Sequence, residues 1–430
     1  MRLDLSDFKG EVPKLKLYEV PHDTATYSMD VDLRDGSLRP WRDTDIVYYS
    51  QGGNSFYVHG CEYLVWDECV SVAPGTVDSG ALYLVGRKEY AEILHTRGGA
   101  RRYSRLGVPQ PSTVAVGSSV TEVTESTYPT RYCITFENEF GHEGPPSAPS
   151  REVLIDEENG FEVLLEWDDV PPAEYRIEKV NIYRIAHPYR SGEEEAPLSE
   201  DSVYLRVGSV PLSWRRTIDS SLTINAGIPL LTEEMREPPL GMQQILAIPG
   251  TNSYVGWKGH KVFFSENNRP WNWPASFDMT LDRNIKHIGI TGGNLVVTTD
   301  GAPYIISNLE TCEKRICRPV EELPMGNVGD IGCDTLNGSV VTPFGLVYAT
   351  VDGLMGVSAN GKMSLFTSPY FSAKQWEKLR PDSVKLAYWS GMLFCHTEEL
   401  AFFLRLDADT FVTENREGIS RVYDKVRAIH

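Results

Sequence analysis

Short apolar runs of strand length recur along most of this chain, each closed by a turn residue. Residues 46–49 (Ile-Val-Tyr-Tyr), 55–58 (Ser-Phe-Tyr-Val), 63–66 (Tyr-Leu-Val-Trp), 81–85 (Ala-Leu-Tyr-Leu-Val) and 91–94 (Ala-Glu-Ile-Leu) are rich in β-branched and aromatic side chains. Gly, Asp or Asn bounds each of them, which predicts strands through residues 45–106. The stretch Gly-Val-Pro-Gln-Pro-Ser at 107–112 then changes the texture. Residues 130–140 alternate about Tyr132, Ile134 and Phe136, and further strands are predicted at 161–167, 179–184 and 203–207. Turn signals separate them at intervals that suit an antiparallel sandwich. The acidic stretch Ser-Gly-Glu-Glu-Glu at 191–195 reads as a solvated hairpin tip.

From Pro238 the first texture returns. Residues 254–257 with 261–264, 288–290 with 294–298, and 346–349 with 353–357 each give strand, glycine-containing turn, strand, and 384–394 with 401–406 add another such unit. The spacing is near the ~40 to 50 residues of propeller blades, and without the middle block enough chain remains for roughly six. One helix interrupts the pattern: Ser372 caps it, Gln375 holds the capping-box position and Pro381 stops it. The expected fold is all-β, an irregular β-propeller-like platform interrupted by an immunoglobulin- or fibronectin III-like β-sandwich, with few short helices. The expected division is 1–110 and 238–412 for the two parts of the platform, 111–237 for the insert and 413–430 for a tail.

Composition narrows the function. Of 430 residues, 41% are hydrophobic and 10% aromatic, and 36 Gly with 27 Pro suit many turns more than long helices. The formal charge of −19, from 60 acidic and 41 basic residues, argues against clamping nucleic acid by phosphate neutralisation. It is compatible with a conduit through which DNA slides without sticking. The first residues have no apolar core of a signal peptide, and no apolar run reaches the ~18 to 20 residues of a membrane span. The seven scattered cysteines suit reduced thiols in a protein made in the cytoplasm.

Chemistry is sparse. No Gly-x-x-x-x-Gly-Lys-Ser/Thr loop, Gly-x-Ser-x-Gly elbow or His-Glu-x-x-His helix is present. Cys312, Cys317 and Cys333 depart from metal-ligand spacing and read as small buried or semi-buried thiols. Residues 30–36 (Asp-Val-Asp-Leu-Arg-Asp-Gly) have the outline of a calcium loop but lack its closing glutamate, so turns feeding a hairpin are expected. No cofactor or metal is expected.

Two places carry candidate interface or recognition residues. Residues 262–274 (Val-Phe-Phe-Ser-Glu-Asn-Asn-Arg-Pro-Trp-Asn-Trp-Pro) join a strand to a loop stiffened by Pro270 and Pro274. There Trp271 and Trp273, with Arg269, form either a sugar-binding surface or a corner packed at a blade edge or subunit seam, the latter preferred. Glu266 beside them is the one carboxylate that invites a glycosidase reading, without an assignable partner acid. The second place is the run 97–105 (Arg-Gly-Gly-Ala-Arg-Arg-Tyr-Ser-Arg), where Arg97, Arg101, Arg102 and Arg105 make the chain's cationic cluster. Pairing with acidic surface of a neighbouring subunit or adaptor is preferred there over a contact with DNA phosphates.

Residues 132–147 (Tyr-Cys-Ile-Thr-Phe-Glu-Asn-Glu-Phe-Gly-His-Glu-Gly-Pro-Pro-Ser) resemble a fibronectin type III strand that carries a tyrosine and ends in a Gly-Glu-Ser-Pro-like corner. The opening Met-Arg-Leu-Asp, then 36–40 (Gly-Ser-Leu-Arg-Pro), the sandwich insert, 238–243 (Pro-Pro-Leu-Gly-Met-Gln), 262–274, 351–357 and 371–376 follow one another in an order similar to the tail nozzle proteins of short-tailed bacteriophages, also called tail tubular protein B-like virion proteins. The resemblance spans most of the chain and rests on motif order. It implies a non-enzymatic structural homo-oligomer, a ring of usually six copies below the portal and adaptor. Such a ring conducts or retains genomic DNA without specific binding, and it supports fibres or spikes. It also implies a place in the virion tail after synthesis in the host cytoplasm. The alternative is a carbohydrate-binding phage adhesin that uses the Trp271/Trp273 loop.

Overall fold

The computed structural model describes residues 8–33, 39–40, 53–96, 101–156, 158–185, 203–221, 227–311, 315–320, 338–406 and 410–414. The expected strand at 46–49, the acidic stretch at 191–195 and most of the 413–430 tail lie outside them. The chain divides into two compact units: residues 1–89, 241–264 and 277–430 form the first, and 90–240 with 265–276 the second.

The first unit is a series of antiparallel meanders. Four consecutive four-stranded sheets run through Gln244–Ala247, Tyr254–Lys258, Lys261–Phe264 and Met279–Thr280; Ile285–Thr291, Asn294–Thr299, Tyr304–Ser307 and Ile316–Pro319; Ser339–Thr342, Gly345–Thr350, Gly353–Val357 and Met363–Leu365; and Lys385–Trp389, Met392–His396, Ala401–Arg405 and Thr410–Glu414. In each sheet every strand pairs with the next in sequence, the pattern of a propeller blade. The sheets stack face to face. Val255, Val262 and Phe264 of the first blade pack with Ile288, Leu295 and Val297 of the second. Val296 and Ile305 of the second meet Leu346 and Tyr348 of the third, and Val347 and Leu354 of the third meet Leu393 and Phe402 of the fourth. First strands adjoin: Ser71–Pro74 touches Gln244–Ala247, Ile285–Thr291 touches Ser339–Thr342, and Ser339–Thr342 touches Lys385–Trp389. Before the first blade, Tyr83 meets Tyr254 edge-on at 4.9 Å, and the Tyr254 hydroxyl donates to Pro74 O at 2.9 Å. The fold is all-β and propeller-like, as the strand, turn, strand pattern predicts.

A threonine device recurs in these blades. Thr299, Thr342, Thr350 and Thr397 are buried at hairpin turns, and each hydroxyl donates to the carbonyl three residues on. Each hydroxyl also accepts from the amide two residues on, so the turn closes without leaving a polar group bare. The helix Ala373–Lys378 is capped as expected by reciprocal Ser372 and Gln375 bonds, and its buried Trp376 donates from Nε1 to Thr350 O at 2.8 Å.

The second unit is a sandwich. One sheet orders Arg216–Asp219, Val163–Glu166 and Ala115–Ser118; the other orders Tyr132–Asn138, Ile177–Ile185 and Tyr204–Pro211; a further pair joins Thr127–Thr130 to Val153–Asp156. The inward sets, Tyr132, Ile134, Phe136, Val180 and Ile182 of one sheet against Val163 and Leu165 of the other, recur at every second residue, so one face of each strand fills the core. Inside lies a charged triad. Arg184 is fully buried, its Nη1 reaches Asp219 Oδ2 at 2.8 Å, and the Tyr132 hydroxyl donates to the same oxygen at 2.8 Å. Burial, then the Asp219 charge, pushes the Tyr132 phenol well above its ordinary range.

The first segment of the second unit runs from Tyr90 to Leu240. The unit also takes in residues 265–276, the loop that follows a strand of the first blade.

Candidate functional site

The two candidate places both resolve into the second unit. The strand Tyr132–Asn138 ends in a corner that the sequence dictates closely. Asn138 Oδ1 accepts from the amides of Phe140 and His142 at 3.0 Å each, and Gly141 takes φ +77° between them. The chain then runs back along the strand: Gly144 N donates to Phe136 O, Ser147 N to Ile134 O and Ser150 N to Tyr132 O. A Cβ at Gly144 would stand 2.6 Å from Val108 Cγ1, so this close approach needs glycine.

On that corner sits the tryptophan loop. The Trp271 ring stacks on His142 with centroids 3.8 Å apart and planes 11° from parallel, and its Nε1 donates to Glu143 O at 3.2 Å. The stack continues through Phe140, tilted to His142 at 5.7 Å, to His95, stacked on Phe140 at 4.3 Å. Glu143 Oε1 in turn accepts from the hydroxyls of Thr135 and Tyr183 and from Asn181 Nδ2. Burial and that carboxylate raise the Tyr183 phenol far above its ordinary range.

Trp273 points the other way and is 0% exposed. Its Nε1 donates to Pro270 O at 2.9 Å, its backbone N to Arg236 O, and its carbonyl accepts from Arg236 Nε. Asn272 Oδ1 accepts from the Arg236 amide, while Asn272 Nδ2 donates to Glu266 Oε2 at 2.8 Å. Arg269 Nη1 reaches the same oxygen at 3.3 Å and also donates to Leu231 O. Every polar group of the loop named here therefore works within the loop or against the sandwich. A sugar platform needs a free aromatic face, and Trp273 has none, while one face of Trp271 is covered by His142. Glu266 holds the loop closed across its base, the task of a structural carboxylate.

The basic run also differs from expectation. Residues 102–105 form a strand of the second unit, not a free tip. Arg105 is clamped: Nη2 lies 2.8 Å from Glu237 Oε2, and the guanidinium stands 4.8 Å over the Tyr90 ring and 4.5 Å over the Tyr175 ring. The Tyr175 hydroxyl donates to the same Glu237 carboxylate at 2.8 Å. Arg102 pairs with Glu139 at 3.0 Å, and Arg176 pairs with that carboxylate too. The cations at 102 and 105 thus meet carboxylates of their own chain that lie 37 and 132 residues away in sequence. Arg101 is exposed beside them, and Arg97 lies outside the described residues.

Two motifs set aside earlier can be placed in part. Cys317 is half-buried, and burial raises its thiol above the ordinary range, while Cys312 and Cys333 lie outside the described residues. Val31–Asp32 pairs antiparallel with Arg39–Pro40, and residues 34–38 lie outside the described residues. Sequence reasoning missed Glu143, Glu237 and His142. For His142 and Glu143 the signal was the Gly-His-Glu-Gly corner itself; Glu237 had none.

No family model and no curated protein sequence matches the chain. Solved structures that match include Sqt1 of Saccharomyces cerevisiae, at 11% identity over 84% of this chain and 88% of that one, with a TM-score of 0.28. YCF48 from Cyanidioschyzon merolae matches at 9% identity over 80% and 84%, with a TM-score of 0.28. The C-terminal WD40 domain of Sif2 matches at 8% identity over 80% and 84%, with a TM-score of 0.25. Similarity this low carries no functional argument; the strand pairing alone defines the fold.

Proposed function

We propose that this chain is a non-enzymatic structural component of a short-tailed bacteriophage tail, of the nozzle or tail-tube kind, working as a closed ring. One observation carries the reading: the Gly-His-Glu-Gly corner of the sandwich insert and the tryptophan loop, two stations in the motif order that resembles that family, meet face to face. Each serves the other as scaffold. The insert is on this reading a fixed part of a mechanical body.

The ring would close through heterologous contacts, with opposite edges of the monomer complementary and six copies by resemblance. It would dock on the adaptor below the portal and support fibres or spikes. The surplus of 60 acidic over 41 basic residues suits a lumen that repels the DNA backbone while the genome passes. Such a protein would be made in the host cytoplasm and reside in the virion tail. Cryo-electron imaging of the purified chain, alone and mixed with its adaptor, tests this. Rings with a central channel are expected; a chain that stays monomeric with the adaptor present refutes it.

A further inference from the structure

Residues 8–33 lie on the last two blades. Val12 packs against the cluster of Trp376, Leu386 and Phe402, Gln375 Nε2 donates to Pro13 O at 3.0 Å, and Lys14 Nζ donates to Ser368 O at 3.0 Å. Ala25 N donates to Gly10 O at 2.6 Å and Ser28 N to the buried Glu11 carboxylate at 3.1 Å, so the loop is tied at both ends. This fixed loop nevertheless holds Leu17 at 75%, Tyr18 at 77% and Tyr27 at 62% exposure, with Leu15 and Met29 also exposed. Single exposed apolar residues are ordinary, but this many on one anchored loop marks a surface that something covers.

The same chain contains a segment of complementary pattern that starts close by. Glu414, the end of the last strand, pairs in register with Ala401, and the adjacent Leu400 packs on the cluster that Val12 joins. In residues 415–430 the large apolar positions are Ile419, Val422, Tyr423, Val426 and Ile429, with the small Ala428 apart from them. On a helical period that spacing would gather these five on one face. The segment carries Arg416, Arg421, Lys425 and Arg427 against only Glu417 and Asp424, a basic balance in a chain of net charge −19.

We propose that the exposed apolar surface of residues 15–29 is the docking site of residues 415–430 of the chain itself. The recognition is that of an amphipathic segment laid on an apolar surface, with its basic face left to solvent. It stands whether or not the chain forms a ring. The test is hydrogen exchange on the full chain. Val422→Asp with Val426→Asp should speed amide exchange across residues 15–29 at least tenfold. Leu17→Asp with Tyr18→Asp, both at exposed positions, should do the same across residues 419–429. A synthetic peptide of residues 415–430 should restore protection at 15–29 in the first variant and fail to protect the second. Unchanged exchange in both variants overturns the proposal, as does protection of residues 15–29 that survives Val422→Asp with Val426→Asp.

Discussion

Replacing Asp219 with alanine should unfold the sandwich more readily than any other single change at one of its polar positions. Arg184 is fully buried and Asp219 is 4% exposed, so the substitution leaves a cation inside the core with its Ser221 carbonyl contact and the face of Phe161, 5.0 Å away. Breaking a buried pair from one side costs about 3 to 5 kcal/mol. The Tyr132 hydroxyl loses its acceptor as well, for about 1 to 3 kcal/mol more. Against a typical domain stability of about 5 to 15 kcal/mol, that is a large share. The melting transition should fall by roughly 8 to 30 °C at about 2 to 4 °C per kcal/mol. Near-ultraviolet circular dichroism with heating, and urea midpoints at constant slope, read the loss. Arg184→Met combined with Asp219→Leu and Tyr132→Phe should recover most of it, because apolar side chains then replace the whole triad. An Asp219→Ala protein within about 1 kcal/mol of the parent would refute the claim that the pair is desolvated.

Three more outcomes are expected. Trp273→Ala should cost about 3 to 5 kcal/mol, because a fully buried ring is lost, whereas Trp271→Ala should cost about half that; equal urea midpoints would refute the ordering. Burial, with Lys286 adding repulsion, pushes His287 down to about 3, while the unfolded imidazole titrates near 6.5. The unfolded chain therefore takes the proton first, so stability is whole above about pH 6.5 and falls as pH drops toward 3. His287→Leu should flatten that acid limb by about 2 to 3 kcal/mol at pH 4.5, and parallel limbs would refute it. Arg105→Ala should destabilise by about 1 to 3 kcal/mol and leave retention on duplex DNA at moderate salt unchanged, since its guanidinium is committed to Glu237; a drop in retention would return that residue to a phosphate contact.

The blades were legible because each depends on a local pattern. Strands 254–258 and 261–264 are separated by Gly259 in the left-handed region, and apolar runs on either side predict the hairpin without further information. The helix at 373–378 was equally open, since its cap and capping-box partner are three residues apart. The strand at 102–105 was not. Its arginines read as a cluster for pairing with a neighbour's acidic surface because the carboxylates and tyrosine rings that hold them come from residues 90, 139, 175 and 237. The tryptophan loop shows both sides of this. Its rigidity followed from Pro270 and Pro274, yet nothing near it in sequence announces His142 as the ring beneath Trp271. The threonine turns were present as Thr-x-x-Gly at 342–345 and 350–353, but Thr299 and Thr397 end in Ala302 and Leu400, which hid the repeat.

The chain passes between its two units after residues 89, 240, 264 and 276. The sandwich is therefore not a bead on a string that recombination or a protease can lift out. Cutting one connection leaves three. Deleting residues 90–240 as a cassette would strand residues 265–276, leaving Trp271 without His142 and Trp273 without Arg236, with two indoles turned toward water. A minimal platform has to lose both pieces together, and a transplanted sandwich has to carry its tryptophan loop along.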